Sequence, residues 1–73
     1  TLSDHKTKLQ KFSLKKFKVL PKYIFSKKTG PQHRPLFRTE VQIPNSKKVI
    51  GIGPSKKKAQ QDAADKLLKL LNI

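Results

Sequence analysis

Eight residues, "LFRTEVQI" (36–43), alternate with a period of two. Phe37, Val41 and Ile43 fall on one face, and Arg38, Glu40 and Gln42 on the other. That period predicts a strand with one buried and one wet face. "PNS" (44–46) is a turn signal, and "KKVIGIG" (47–53) returns as another strand. Upstream, "KYIFSKK" (22–28) sets Tyr23 and Phe25 against its other residues, and "GPQHRP" (30–35) is a loop opened by a Gly-Pro breaker. Strands joined this tightly pair antiparallel.

Helical patterns flank the three strands. In "SDHKTKLQKFSLKK" (3–16), Ser3 or Asp4 can cap, and Leu9 and Phe12 share a face. Pro21 ends any helix before it. The last helix runs from about Ser55 to Leu71, with Ala59, Ala63, Leu67, Leu70 and Leu71 as its core-facing stripe. The small alanines near its start let it approach the sheet closely. Asp62 stands four before Lys66, and Asp65 four before Lys69, the favourable order for helical ion pairs. The fold class is therefore α+β. The expected architecture is α-β-β-β-α, a three-stranded antiparallel sheet with both helices on one face. Residues 1–73 are read as a single domain.

Charge bounds the function. Eighteen Lys and Arg face four Asp and Glu, a formal net charge of +14. Such an excess repels itself, and the usual reasons to carry it are a polyanionic partner or a solvated tail. A chain that is 34% hydrophobic and clearly patterned is no tail. No apolar run is long enough to span a bilayer, and no secretory signal pattern is present, so no membrane partner is expected. The absence of cysteine fits a reducing, intracellular compartment, cytoplasmic or nuclear, and removes disulfides and cysteine-rich zinc sites.

Catalysis finds little support. Asp4, Glu40, Asp62 and Asp65 fall on three separate elements, and His5 and His33 have no evident acidic or nucleophilic partner. "GIGPSK" has neither the spacing of a P-loop nor the third glycine of a dinucleotide site. No catalytic residue, cofactor or metal is expected in this chain alone.

Nucleic acid is the better-supported partner. Lys56, Lys57 and Lys58 open the final helix, where free backbone N–H groups already attract anions. The bland alternative is a solvated basic face or part of a nuclear-import signal. The loop adds His33 and Arg34, able to reach sugar or phosphate, or simply a basic turn. Thr7 and Gln10 share a face of the first helix, and short polar groups of that kind suit a wide, shallow groove lined with 2'-hydroxyls.

In order and spacing, "LPKY", "GPQHRPLF" and "GIGPSKKKAQQDAADKLL" resemble the double-stranded RNA-binding domain, over nearly the whole chain. "DHKTKLQ" and "KKKAQQDAA" are similar to the version carried by ribonuclease III and Dicer-like enzymes. The resemblance implies three contact regions. Thr7, Gln10 and Lys11 would lie in one minor groove, and Pro31, Gln32 and His33, with Arg34, would enter the next. Lys56, Lys57 and position 60 would clamp the phosphates across the intervening major groove. Two departures stand out. Lys11 replaces the family's usual acid, so its contact with a 2'-hydroxyl becomes a contact with phosphate. Gln60 replaces a clamp lysine and leaves only a neutral donor there. Lys58 does not substitute, because two positions turn the helix by about 200°; it remains a secondary candidate.

The expected partner is double-stranded RNA, held for a catalytic domain of a larger RNA-processing enzyme. Another expectation keeps the fold but makes the domain a protein-interaction or dimerisation module, using Ile24, Ile50 and Ile52 if they face outward. A third is a general polyanion or DNA binder. The isolated domain is expected to be monomeric.

Overall fold

A computed structural model describes residues 4–72. Five elements follow in the expected order: α1 (His5–Phe17), β1 (Lys22–Thr29), β2 (Leu36–Gln42), β3 (Val49–Gly53) and α2 (Lys56–Leu70). The sheet is antiparallel in the order β1-β2-β3. Asp4 caps α1, its side chain accepting from the backbone N–H groups of Lys6 and Thr7. Ser3, the other candidate cap, lies outside the described residues. Helix α1 closes before Pro21 acts. Lys18 turns left-handed (φ 62°) and donates its N–H to Ser13 O and Leu14 O, while the buried Ser13 hydroxyl donates to Val19 O at 2.7 Å. Asn45, also left-handed (φ 63°), follows Pro44 in the β2–β3 turn, a pairing that a tight reversal favours.

Residues opposite one another across a ladder share a face, so the register assigns the two faces of the sheet. The inner face of β2 reads Phe37, Thr39, Val41, and that of β3 reads Val49, Gly51, Gly53. Val41 and Ile43 join Leu9 of α1 and Ala63, Ala64, Leu67 and Leu68 of α2 in one buried cluster. Both helices therefore cover the same face. Gly51 sets how close α2 comes: a Cβ there would overlap the backbone of Ala59 and Ala63. The expected close approach thus depends on glycine in the sheet as much as on alanine in the helix.

Two sequence expectations need correction. Leu70 is 61% exposed and is not part of the core stripe; Ala64 and Leu68, adjacent around the helix, are buried instead. The alternation of β1 also breaks. Phe25 pairs with Thr39 but Lys27 with Arg38, so Ser26 is an extra residue, and its hydroxyl donates to Arg38 O at 3.2 Å. This bulge brings Lys28 opposite Phe37 on the helix side of the sheet.

Candidate nucleic-acid interface

The start of α1 is tied to the first turns of α2. Asp4 Oδ1 accepts from Lys6 N at 3.0 Å and Thr7 N at 3.4 Å, and also from the Gln61 side-chain amide. The Gln61 hydrogen bond is the main reason the Asp4 carboxyl sits below its ordinary pKa; desolvation opposes it, and hydrogen bonds from Thr7 and Lys6 add to it. Gln61 Oε1 in turn accepts from Lys6 N at 3.3 Å. The next residue round α2, Gln60, accepts from Lys6 Nζ at 2.8 Å. His5 Nδ1 lies 3.7 Å from Asp65 Oδ1. The expectation that His5 has no acidic partner is therefore wrong, because helix packing supplies one from sixty positions along the chain.

Ser55 caps α2, its Oγ accepting from Lys58 N at 3.1 Å. The backbone N–H groups of Lys56 and Lys57 have no acceptor within the helix. Both side chains are exposed. Lys56 Nζ stands 4.6 Å from the Phe25 ring centroid, and Lys28 Nζ stands 5.7 Å from that of Phe37. The two rings tilt against each other at 6.0 Å. Next along β1 on the same face is Tyr23, with Lys6 Nζ at 5.2 Å from its centroid. Three aromatic side chains thus hold three ammonium groups near the helix N-termini, each contact worth about 0.5–1 kcal/mol where exposed. Burial, helped by the Asp4 charge, pushes the Tyr23 hydroxyl up to about 12.

The β1–β2 loop joins this surface. Thr29 pairs with Leu36, and Phe37 with Gly53, so residues 30–35 and the start of α2 lie at the same end of the sheet. Arg34 N donates to Pro31 O at 2.9 Å, and Gly30 (φ 86°) makes the turn possible. Pro31, Gln32, His33 and Arg34 are all exposed.

A basic helix start and a pinned basic loop share one end of the sheet, and the polar face of α1 is joined to them through the first turns of α2. The family model of the double-stranded RNA binding motif matches residues 5–71. The chain belongs to that family.

Relatives of this RNA-binding motif include Ribonuclease 3 of Pelagibacter ubique (strain HTCC1062), 53% identical over 64 residues, covering 88% of this chain and 29% of that protein. Ribonuclease 3 of Leptospira interrogans (serovar copenhageni, strain Fiocruz L1-130) is 42% identical over 67 residues, covering 92% and 27%. The chain thus spans less than a third of the curated relatives it matches. Among solved structures, both dsRBDs of DRB4 with their linker superpose with a TM-score of 0.71 at 29% identity, covering 93% of this chain and 44% of that one. DRB4 dsRBD2 gives 0.67 at 28%, covering 96% and 97%.

On this motif's surface the expected residues fall into two kinds. Thr7, Gln10, Lys11, the four loop residues and Lys56, Lys57 and Lys58 are exposed. Gln60 is half-buried, its carbonyl engaged by Lys6 and its amide without a hydrogen-bond partner among the described residues. Lys6, Lys28 and Gln61 were not anticipated. Only Lys6 left a trace in the sequence: it stands four residues before Gln10, on the same helical face. The acids are committed elsewhere. Burial raises the Asp62 carboxyl, but the Lys66 ammonium at 2.9 Å and the Ile52 N–H at 2.9 Å together hold it below its ordinary value. Asp65 pairs with Lys69 at 3.1 Å. Ile24 and Ile52 do face outward, 40% and 44% exposed, but Glu40 lies between Ile24 and Ile50, and Arg38 between Lys27 and Ile52. The outer face is a mixed surface and not a continuous apolar patch. Among the described residues, no helix is long and apolar enough to cross a membrane.

Proposed function

We propose that this chain is the substrate-holding module of a larger RNA-processing enzyme of the ribonuclease III or Dicer-like kind. It binds duplex RNA by shape. Thr7, Gln10 and Lys11 lie along one minor groove, and Pro31, Gln32, His33 and Arg34 enter the next. Lys56 and Lys57, with the free N–H groups at the start of α2, take phosphates of the intervening major groove, and the Gln60 amide adds a neutral donor. The observation that carries this reading is the arrangement of three groups along one surface: the loop and the start of α2 share one end of the sheet, and the start of α1, beside Tyr23 near the far end of β1, is tied to Gln60 and Gln61 of α2. Family membership supports it. Such modules span about 16 base pairs and read 2'-hydroxyls and groove shape more than sequence. RNA cleavage is left to residues outside this chain.

The test is a comparison of duplex RNA, duplex DNA and single-stranded RNA at one physiological salt concentration. Duplex RNA is expected to bind tightest, with little dependence on sequence. Equal affinity for the RNA and DNA duplexes would leave only electrostatics and overturn the groove assignment. The exposure of Ile24 and Ile52 favours a second reading, a protein-interaction or dimerisation module. The charges set among them support a monomer. Sedimentation at high concentration separates the two, since a dimer that buries this face would overturn the monomer.

A further inference from the structure

Most lysines of this chain are exposed, but Lys6 is held on both sides. It is half-buried at the start of α1, with Nζ 2.8 Å from Gln60 Oε1 and 5.2 Å from the Tyr23 centroid. The ion pairs among the described residues are His5–Asp65, Lys66–Asp62 and Lys69–Asp65, and none includes Lys6. The nearby Asp4 carboxylate faces backbone N–H groups and Gln61 instead. An ammonium serving only to join two helices would gain more from a carboxylate than from a neutral amide. Among the described residues, no carboxylate pairs with the Lys6 ammonium. An ammonium has three donors, and Gln60 uses one.

Its position gives that charge a role. On α1, Lys6 lies four residues before Gln10; on α2, its acceptor Gln60 lies four residues after Lys56 and three after Lys57. Residues so spaced share a helical face. The basic stripe of α2 turns neutral at Gln60, and there the Lys6 ammonium arrives from the other helix. We infer that Lys6 is a phosphodiester-binding residue at the junction of α1 and α2, held in place by Gln60 and the Tyr23 ring. This rests on the duplex-RNA reading. Because the side chain is already fixed, binding costs it less ordering than a free surface lysine would lose.

Lys6→Met keeps the apolar stem over Tyr23 and removes the charge. Duplex RNA is titrated at several salt concentrations, alongside Lys6→Arg and Lys57→Ala. Lys6→Met is expected to weaken every duplex about fivefold near ~0.15 M salt and to lower the salt slope by about 1. Lys6→Arg is expected to keep the wild-type slope. A wild-type slope in Lys6→Met, with a reduced slope in Lys57→Ala, would overturn the inference and leave the duplex reading intact. A wild-type chain without preference for duplex RNA would overturn that reading itself. The unaltered chain gives a check that does not depend on the variant folding. Duplex RNA is expected to protect Lys6 from reductive methylation while leaving Lys69 reactive; equal reactivity of Lys6 with and without RNA would count against its role.

Discussion

The Tyr23 hydroxyl is buried and, with that of Thr39, has no hydrogen-bond partner among the described residues. A buried hydroxyl left unmatched costs stability that its ring does not. Tyr23→Phe keeps the ring beneath Lys6 and removes the liability. Its thermal midpoint at neutral pH is expected to equal or exceed that of the wild type. The hydroxyl titrates near 10 in the unfolded chain and at about 12 in the fold. The folded state therefore holds its proton longer, and this contribution is complete below about pH 10 and lost as pH rises through about 12. Only the wild type ionises Tyr23 in that range. Denaturation followed from pH 9 to 12 should show the shallower decline in Tyr23→Phe; parallel curves would mean that the hydroxyl is solvated.

At the scale of the elements, α2 is placed by what lies beneath it and used for what projects beyond its start. Gly51→Ala puts a methyl group into the backbone of Ala59 and Ala63, which cannot step aside as a side chain could. The loss expected in urea denaturation is about 3 kcal/mol or more, at the upper end of overpacking costs. Stability unchanged within error would show α2 seated further from the sheet. At the N-terminus the trade is different. Lys57 sits where the helix dipole is positive, which costs a few tenths to ~1 kcal/mol. Lys57→Ala should therefore raise the thermal midpoint of the free domain by roughly 2–4 °C for about 0.5 kcal/mol. The same substitution should weaken duplex RNA binding. If both properties fell together, Lys57 would be structural. The sequence showed this much of α2, because a cap, a lysine run and an alanine stripe are local patterns. It did not show the bulge at Ser26, since the extra residue is defined only by the partner strand, and no glycine marks it. The Lys6–Gln60 contact was hidden for the same reason: fifty-four residues separate the two, and only helix packing brings them together. Leu70 fitted the apolar spacing but is exposed in the last turn of α2, whereas Leu71 packs against the core.

For the whole molecule, a net charge of +14 on 73 residues sets two equilibria against each other. Salt screens the repulsion among the lysines and should stabilise the free domain. Salt also removes the gain from releasing counterions and should weaken the RNA complex. Between ~0.05 and ~0.5 M salt, the melting point of the free chain is expected to rise while that of the complex falls toward it. A free chain insensitive to salt would mean that its lysines are already well separated. Element order and the exposure of the candidate groups were legible at this scale, because each depends on period and spacing along the chain. How those groups meet was not, because it depends on the face that each helix gives to the other.

The lysines poised over Tyr23 and Phe25 carry one more consequence. Circulating π electrons displace the magnetic resonance of protons held above a ring, so the terminal methylenes of Lys6 and Lys56 should resonate upfield of those of lysines that lie over no ring. If RNA draws an ammonium off its ring, its signal drifts back toward the crowd. If the phosphate comes to a cation already in place, the signal stays upfield. The chain thus carries its own unlabelled gauge of whether its grip is assembled before the RNA arrives.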